Sequence, residues 1–335
     1  MSTHESRENG SLVDGAGRAI TYLRVSVTPR CNLRCAYCFG PGEDDGRDEQ
    51  LLPVDQVIRL LRVFASLGIE RVRFTGGEPL LRRGITELVR GTTAVPGITT
   101  VGLTTNGLLL ERCLARLVDA GLNRINISLD SMKRETFRTI TGADALDRVM
   151  AGIAASLASG AFPRVKINTV VMRDINDGEL RDMAEWALRQ GVDQRFIEFM
   201  PTAYSGWREE RFVHESEMRQ KIGLELEPVQ REEPVSGPAS TFRYRDCPGR
   251  ISFISAVSRA FCNACNRLRL TSRGEILGCL FQPESSSLLA LLNSGAGTRD
   301  IAVHISAVIA RPGFRRVPES LQATGHRPDM LKVGG

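Results

Sequence analysis

Two hydrophobic patterns alternate along the first 200 residues of the chain. Short runs rich in β-branched and aromatic residues predict six strands, at residues 22–28, 71–75, 99–104, 124–129, 164–171 and 194–199. Between them, apolar residues recur at helical spacing, as at Val57, Leu61 and Phe64, and the helices predicted at 111–120 and 179–190 each end at a glycine. This order of strand, helix, glycine and strand is typical of parallel βα units.

Polar sequence follows nearly every predicted strand. Residues 31–38 follow the first strand, residues 76–79 (Gly-Gly-Glu-Pro) the second, and residues 105–107 (Thr-Asn-Gly) the third. Because the carboxyl ends of parallel strands meet at one edge, we expect these loops to form a single active-site opening. The predicted fold class is therefore α/β: a partial, open β/α barrel of the TIM type with about six parallel strands, plus a smaller C-terminal region.

The pattern changes after Pro201, and residues 232–240 are rich in Pro, Gly and Ser, as linkers are. The sequence predicts a disordered tail at 1–18, the barrel at 19–230, a C-terminal region at 231–320 and a tail at 321–335 that ends in Gly-Gly. No apolar run approaches the ~18 residues of a membrane span, and the first residues have no apolar core of a signal peptide. We therefore expect a cytoplasmic protein without membrane contact.

The basic residues are unevenly divided, with 4 lysines and 40 arginines at a net charge of +5. Most of these arginines are expected on solvated faces, and the small excess of charge does not favour nucleic acid as a partner. Five of the basic residues within predicted strands are nevertheless notable, because a charge there needs an interior partner or a path to water. They predict an anion-binding cavity: Arg24, Arg71, Arg73, Lys166 and Arg195.

Six of the eight cysteines form two tight groups, which in a reducing compartment indicates metal or cluster ligands instead of disulfides. The first cysteine group, Cys31, Cys35 and Cys38, lies in the loop that leaves the first strand. Three thiolates can bind three irons of a 4Fe–4S cube and leave the fourth iron open, whereas structural zinc usually takes four protein ligands. Cys113 is expected in the core and Cys247 in a turn.

The second cysteine group also offers three thiols, those of Cys262, Cys265 and Cys279. Arg267 and Arg269 lie between them, and in an extended segment both side chains would share a face and could bind phosphate oxygens. This arrangement predicts an open iron beside an anion site. Two alternatives remain, a structural zinc site completed by Cys247 and a fully ligated auxiliary cluster.

The motif Cys-x3-Cys-x-Tyr-Cys, followed by a strand that ends in Gly-Gly-Glu-Pro, resembles the radical S-adenosylmethionine (SAM) superfamily. The resemblance implies a 4Fe–4S cluster on the first cysteine group, with SAM bound at its open iron. It further implies that the Gly-Gly-Glu-Pro loop receives the amino group of SAM. The residues that it implies in SAM binding are Tyr37, Gly77, Glu78, Ser128 and Met200.

The second cysteine group with its arginine pair is similar to the GTP 3′,8-cyclase family, and the similarity covers about residues 22–281 and the terminal Gly-Gly. It implies two 4Fe–4S clusters and SAM as cofactors, and conversion of GTP to (8S)-3′,8-cyclo-7,8-dihydroguanosine 5′-triphosphate in molybdenum cofactor (molybdopterin) biosynthesis. The implied GTP-binding residues are Arg24, Arg73, Thr105, Lys166, Arg267 and Arg269, with Arg71, Arg195, Gly334 and Gly335 as further candidates. Implied partners are a flavodoxin- or ferredoxin-like reductant, cyclic pyranopterin monophosphate synthase as product acceptor, and a second copy in a homodimer.

Several positions depart from that family's pattern. Phe39 follows the first cysteine group where Met-Pro is common, Pro29 replaces an acidic residue, Arg71 replaces a lysine, and residues 282–329 are the least similar stretch. These departures leave open a divergent paralogue that acts on another nucleotide or on a peptide. A non-enzymatic iron–sulfur or zinc scaffold that binds RNA or protein is a further alternative, but it leaves the Gly-Gly-Glu-Pro loop unexplained.

Overall fold

The computed structural model describes residues 12–39, 50–229, 238–281, 284–315 and 327–334. The strands within them are β1 (Tyr22–Ser26), β2 (Arg71–Thr75), β3 (Thr100–Thr105), β4 (Arg124–Ser128), β5 (Val165–Val171), β6 (Asp193–Glu198), β7 (Glu227–Pro228), β8 (Ser240–Arg243), β9 (Arg250–Ile254), β10 (Arg267–Leu270), β11 (Glu275–Leu277) and β12 (Ser285–Ser287). The α-helices are α1 (Val54–Ser66), α2 (Ile85–Thr93), α3 (Leu110–Asp119), α4 (Arg134–Thr141), α5 (Leu146–Ala158), α6 (Leu180–Gln190), α7 (Glu215–Ile222), α8 (Leu289–Asn293), α9 (Thr298–Ala310) and α10 (Met330–Val333).

These strands form one open sheet in the order β12-β11-β10-β1-β2-β3-β4-β5-β6-β9-β8-β7. The eight central strands, from β10 to β9, pair in parallel. Two antiparallel strands extend the sheet at each edge. The predicted open, largely parallel barrel is confirmed, and its parallel part has eight strands instead of about six because the C-terminal region contributes β9 and β10.

The six predicted strands agree with the structure to within two residues at each end. β1 ends at Ser26, two residues earlier than predicted, as the chain turns toward the first cysteine group ahead of Pro29. The predicted domain boundary near residue 230 falls between β7 and β8, which pair with each other, so it does not separate two sheets. The domain bounds therefore remain predictions.

Side chains alternate between the two faces of the parallel strands. One face is apolar and fully buried, as at Leu23, Val72, Leu103, Ile125 and Phe196. It joins the main hydrophobic core with apolar residues of the covering helices, among them Leu60, Leu88, Leu117, Val149 and Met183. The opposite face carries the polar and basic residues, and burial of the apolar face thus fixes which side of the sheet can form a polar site.

Residues 12–18 were predicted to belong to a disordered tail, and this prediction is wrong for them. Leu12 is 3% exposed and Asp14 4% exposed. The Leu12 N–H donates to Leu67 O (2.9 Å), and Val13 forms a β-bridge with Ala19. Backbone hydrogen bonds and one buried carboxylate hold this segment in place of a row of apolar side chains. Its sequence therefore lacks the apolar periodicity from which a packed helix or strand is predicted.

Two further findings concern the ends of the fold. Helix α9 packs on α1 and buries Ile301, Ile305 and Val308, so part of the stretch that looked least similar to the family belongs to the core. Within the described ranges, no helix combines the length and the apolar character needed to cross a membrane.

Candidate active site

The two cysteine groups lie at opposite ends of the parallel strands. The first follows the carboxyl end of β1, whereas Cys262 and Cys265 precede the amino end of β10, which runs parallel to β1. Cys279 follows β11, which is antiparallel to β10 and returns to that same end. The loops after the strands share one end of the sheet, as expected, whereas the second cysteine group lies at the other end because β10 places it ahead of a strand.

The thiols of the first cysteine group are half-buried and close enough to oppose one another's ionisation. Burial raises the pKa of the Cys31 thiol to about 11. Burial, followed by the charge of Cys38, raises the pKa of Cys35. Two N–H groups reach Cys31 Sγ, from Leu33 N at 3.5 Å and Asn106 Nδ2 at 3.7 Å. Three crowded thiols whose charge is disfavoured fit a cationic iron cluster, which would stabilise the thiolates.

The glycine pair after β2 lies directly on the backbone that leads into the first cysteine group. Gly76 has a φ of +145°, and a Cβ there would come within 2.3 Å of Thr28 O. A Cβ on Gly77 would come within 2.4 Å of Arg30 O. Since those atoms are main-chain atoms that cannot move aside, only glycine allows this approach. The Gly77 N–H donates to Thr28 O (2.8 Å) and closes the contact.

Glu78 ties the same loop to the end of β3. Its carboxylate is fully buried and accepts hydrogen bonds from Thr105 Oγ1 (2.8 Å), Asn106 N (2.7 Å) and Leu80 N (3.0 Å). Burial raises the pKa of Glu78 to about 7, although these bonds favour the ionised form. Glu78 and Thr105 thus brace each other, and their contacts with SAM and GTP stay predictions.

Tyr37 and Asp130 form a second buried link beside the first cysteine group. The Tyr37 hydroxyl donates to Asp130 Oδ2 (2.6 Å), and Thr202 Oγ1 donates to Tyr37 O (3.0 Å). Burial raises the pKa of Asp130 to about 6. Asp130 was not among the predicted site residues, although its position two residues after Ser128 at the end of β4 was a usable signal.

A cavity of about 590 Å³ occupies the polar face of the sheet. It extends from the second cysteine group to Met200, which follows the carboxyl end of β6. Its walls include seven of the basic residues singled out from the sequence: Arg24, Arg71, Arg73, Lys166, Arg195, Arg267 and Arg269. The strand placement of Arg267 and Arg269, one residue apart in β10, is what puts both guanidinium groups on this face.

The basic residues of the cavity act on one another. Burial lowers the pKa of Lys166 to about 7, with Arg195 as the next cause. Burial also lowers the pKa of Arg269 to about 10, with Arg267 as the next cause, and it lowers that of Arg24 well below its ordinary value. Because crowded buried cations disfavour their own charge, an anion entering the cavity would be stabilised.

Arg269, Arg24 and Arg73 stand in one row across β10, β1 and β2. Gly102 continues the row on β3, and a Cβ there would come within 2.9 Å of the Arg73 guanidinium. Arg73 Nε donates to the Tyr22 hydroxyl (2.6 Å), while Nη1 donates to a main-chain carbonyl of β3 (2.9 Å). Gly102 and Tyr22, neither of them predicted, therefore fix where this guanidinium lies.

The C-terminal segment reaches the same row. Arg269 Nη1 donates to Val333 O (3.0 Å) and also to Gly334 O. A Cβ on Gly334 would come within 2.5 Å of Thr75, and Met330 lines the cavity. Gly334 thus lies where the resemblance implies, and Gly335 lies outside the described residues. A catalytic role for either glycine stays a prediction.

Sequence reasoning missed several residues that line the cavity: Arg18, Tyr22, Arg124, Asn126, Asn168 and Arg315. Arg124 and Asn126 had a usable signal, since they alternate along a predicted strand. Arg18 and Arg315 had none, because they fall in a polar tail and in a poorly patterned stretch. Cys113 and Cys247 pack partly against the core.

Within the described part of the chain, no three Cys, His, Asp or Glu side chains converge on a point that could hold a single metal ion. A 4Fe–4S cube does not require such convergence, since each thiolate binds a different iron. The second cysteine group shows the expected proximity, because burial and then Cys279 and Cys265 raise the pKa of Cys262. Both groups therefore fit a cluster by the chemistry of their donors.

Two family models cover most of the chain. Residues 25–187 match the Radical SAM superfamily, and residues 192–313 match Molybdenum Cofactor Synthesis C. The "GTP 3′,8-cyclase" of Geobacter sulfurreducens is 44% identical over 336 residues, which covers 97% of this chain and 99% of that protein. That of Pelotomaculum thermopropionicum is 39% identical over 328 residues, or 97% and 100%.

Other similar proteins are longer or more distant. "Molybdenum cofactor biosynthesis protein 1" of Drosophila melanogaster is 40% identical over 310 residues, which covers 91% of this chain and 54% of that protein. The crystal structure of Streptococcus suis SuiB bound to precursor peptide SuiA has a TM-score of 0.62 at 16% identity, covering 95% of this chain and 72% of SuiB, and this likeness concerns the fold alone. Since two relatives match over nearly their whole length, this chain belongs to the GTP 3′,8-cyclase family of radical SAM enzymes.

Proposed function

We propose that this chain cyclises GTP, the reaction for which its family is named, to (8S)-3′,8-cyclo-7,8-dihydroguanosine 5′-triphosphate in molybdenum cofactor biosynthesis. One observation carries the proposal. A cysteine triplet lies at the carboxyl end of β1, a second lies at the amino end of β10, and a basic cavity extends along the same strands. The first triplet can hold a radical source, the cavity can bind a polyanion, and the second triplet can hold a further cluster at the other end of that cavity.

In this proposal six cysteines hold two 4Fe–4S clusters, the first on Cys31, Cys35 and Cys38 and the second on Cys262, Cys265 and Cys279. SAM contacts the residues named from the resemblance: Tyr37, Gly77, Glu78, Ser128 and Met200. When bound, the first cluster and SAM supply the 5′-deoxyadenosyl radical that removes a hydrogen atom from the ribose. The protein's own residues orient the site. The N–H groups of Leu33 and Asn106 orient Cys31, and Glu78 keeps the Gly-Gly-Glu-Pro loop rigid.

The basic face of the cavity binds the triphosphate. Arg24, Arg73 and Arg269 share one row, and a planar guanidinium donates two parallel hydrogen bonds to a phosphate. The remaining GTP contacts proposed are Thr105, Lys166 and Arg267, with Arg71 and Arg195 as further candidates. The guanidinium of Arg267 lies 4.9 Å from the centroid of the Phe261 ring, which limits its rotation beside the second cysteine group.

The C-terminal segment closes the cavity near Met200. Ala203 N donates to Pro328 O (3.0 Å), which attaches this segment to the loop after β6. Arg269 is held by the carbonyls of Val333 and Gly334, so we infer that phosphate and the segment share this guanidinium. The segment thereby orients Arg269 and excludes water from the radical, with Gly334 and Gly335 allowing a close backbone approach.

The electron donor is a flavodoxin- or ferredoxin-like protein, and the product passes to cyclic pyranopterin monophosphate synthase. The protein is cytoplasmic and forms a homodimer. The barrel spans residues 19–230, and the region that binds the second cluster spans residues 231–320.

The test is anaerobic reconstitution of the chain with iron and sulfide, followed by incubation with SAM, dithionite and GTP. Mass spectrometry then measures 5′-deoxyadenosine and the cyclised nucleotide. Both products are expected together. Formation of 5′-deoxyadenosine without cyclised GTP would overturn the choice of substrate, and zinc in place of iron would overturn the enzymatic proposal.

A further inference from the structure

Arg315 joins two parts of the second cysteine group with one side chain. Its guanidinium donates from Nη2 to Cys265 O (3.0 Å) and to Cys265 Sγ (3.7 Å), and from Nε to Gly278 O (3.0 Å), the residue before Cys279. The Arg315 side chain is only 3% exposed. A buried guanidinium in this position both fixes the backbone on each side of the group and places a positive charge against a ligand thiolate.

Arg18 and Asp14 complete the same structure from the N-terminal side. Arg18 Nη1 donates to Cys262 O (2.6 Å), and Nη2 donates to Arg315 O (2.5 Å). The carboxylate of Asp14 pairs with both guanidinium groups, at 2.7 Å from Arg18 and 3.1 Å from Arg315, and is 0% exposed. All three cysteine segments are thus held by two arginines that one aspartate connects.

Two glycines permit this packing. A Cβ on Gly278 would come within 2.2 Å of Phe314 O and 2.5 Å of Arg315 Cγ, so only glycine allows the turn after α9 to lie on the loop of Cys279. A Cβ on Gly15 would come within 3.1 Å of Ala310 O at the end of α9. The N-terminal segment, the turn after α9 and the second cysteine group are therefore packed as one unit.

We propose that Asp14, Arg18 and Arg315 form a brace that positions the second cysteine group and raises the reduction potential of the cluster bound there. This inference rests on the proposed function, in which that group binds a 4Fe–4S cluster. Arg315 acts through Cys265 and Arg18 through Cys262, so both are positioning residues.

The direction of the effect follows from charge. Two guanidinium groups and one carboxylate leave a net charge of one positive unit beside the thiolates. Reduction adds one electron to the cluster, supplied by dithionite in the experiment below, and no bond is made or broken. Because positive charge and N–H···S contacts stabilise the more negative reduced form, the brace favours reduction, and its burial strengthens the effect.

The experiment compares full-length variants in a background in which Cys31, Cys35 and Cys38 are replaced by alanine, so that only the second cluster assembles. The variants are Arg315→Gln, Arg315→Lys and Arg18→Gln, and the control is Arg311→Gln, an exposed arginine in the same turn. Iron content per chain and a reduction potential from an electron paramagnetic resonance titration are measured for each. We expect Arg315→Gln to shift the potential to more negative values, Arg315→Lys to shift it less, and Arg311→Gln to leave it unchanged.

Each outcome decides a separate point. Absence of iron from the parent background would overturn the proposed function and not the brace alone. A normal iron content with an unchanged potential in Arg315→Gln would overturn the brace. If Arg315→Gln binds no iron while Arg315→Lys does, the restored charge supports the brace. If neither binds iron, the potential of Arg18→Gln decides, and an unchanged value there overturns the proposal.

Discussion

The two cysteine groups offer the same three thiols but lie in opposite electrostatic surroundings. Burial raises the pKa values of all three thiols of the first group, and neighbouring thiols are the next cause at Cys35 and Cys38. Acidic side chains raise these pKa values further, Asp130 at Cys35 and Cys38 and Glu78 at Cys31, while Arg34 lowers the pKa of Cys31. In the second group, burial and then the thiols of Cys279 and Cys265 raise the pKa of Cys262, whereas the charge of Arg18, from outside the group, lowers it.

This difference separates two tasks that a radical enzyme must perform. Negative surroundings disfavour an added electron, so a cluster in the first group, once reduced, is a strong electron donor. Positive surroundings favour an added electron and also a bound polyanion. The parallel strands keep these environments apart because they place one group at their carboxyl ends and the other at their amino ends.

The largest effect is expected when one thiol is removed from each cysteine group, because this tests directly whether the two groups have separate tasks. Cys35→Ala should reduce formation of both 5′-deoxyadenosine and cyclised GTP to background, because the radical source is lost. Cys265→Ala should leave formation of 5′-deoxyadenosine measurable and reduce cyclised GTP to background. Quantification of both products by mass spectrometry is the measurement, with Cys113→Ala, a partly buried thiol of α3, as the control. Loss of 5′-deoxyadenosine in both variants would mean that the groups do not have separate tasks.

The next largest effect is expected at the arginine pair of β10. Arg269→Ala should raise KM for GTP about 10- to 100-fold, because a hydrogen bond to a charged group contributes about 1.5–3 kcal/mol. Arg267→Ala should act in the same direction. Arg273→Ala is the matched control, since Arg273 follows the same strand and is exposed.

Iron content decides how the arginine variants are interpreted. Both are expected to keep the iron of the parent protein, because Arg269 donates to main-chain carbonyls of the C-terminal segment and Arg267 lies over the Phe261 ring. A parallel loss of iron and of GTP affinity would instead assign the pair to the second cluster, in contradiction to a role in substrate binding.

Much of this arrangement could be predicted from local sequence. Strands β1 to β6 follow from runs of β-branched and aromatic residues, and the chemistry expected of both cysteine groups follows from their spacing. Basic residues inside strands correctly indicated a cavity, because a charged side chain on a strand must either reach solvent or pair with an opposite charge.

The position of the second cysteine group and the contacts of its buried arginines could not be predicted, because they depend on pairing between segments that are distant in the sequence. The pairing of β10 with β1 moves the second cysteine group to the amino ends of the strands, and no local pattern encodes that choice. Arg315 is separated from Asp14 and Arg18 by almost the whole chain, and it meets them at the end of α9, which packs on α1. Each looks like an ordinary surface residue until the partner that buries it is known.

The positive charge of the cavity is expected to depend on pH, because one of its basic residues titrates near neutrality. The pKa of Lys166 is lowered to about 7, so in the free protein its charge is present below that pH and is lost above it. Binding of the triphosphate requires the ammonium, hence KM for GTP should rise above about pH 7 by up to about tenfold per pH unit until the pKa of the complex is reached. KM measured from about pH 6.5 to 9 tests this expectation.

Lys166→Arg separates this effect from others in the same range. An arginine stays charged, so the rise of KM with pH should disappear in the variant. Glu78 at the other end of the strands also has a pKa of about 7, and for this reason the pH profile of 5′-deoxyadenosine formation is recorded separately. If the rise of KM persists in Lys166→Arg, another group is responsible for it.

The smallest effect is expected at Tyr22, which contacts Arg73 in the basic cavity. Tyr22→Phe removes the acceptor for Arg73 Nε while Nη1 keeps its main-chain acceptor, so KM for GTP should rise about two- to tenfold, the range of a hydrogen bond contributing about 0.5–1.5 kcal/mol. Tyr244→Phe is the control, since Tyr244 also contacts an arginine: Cζ of Arg245 lies 4.9 Å from the centroid of the Tyr244 ring. A change in 5′-deoxyadenosine formation without GTP would contradict the separation of tasks, because Tyr22 would then act on the radical source at the far end of the strands.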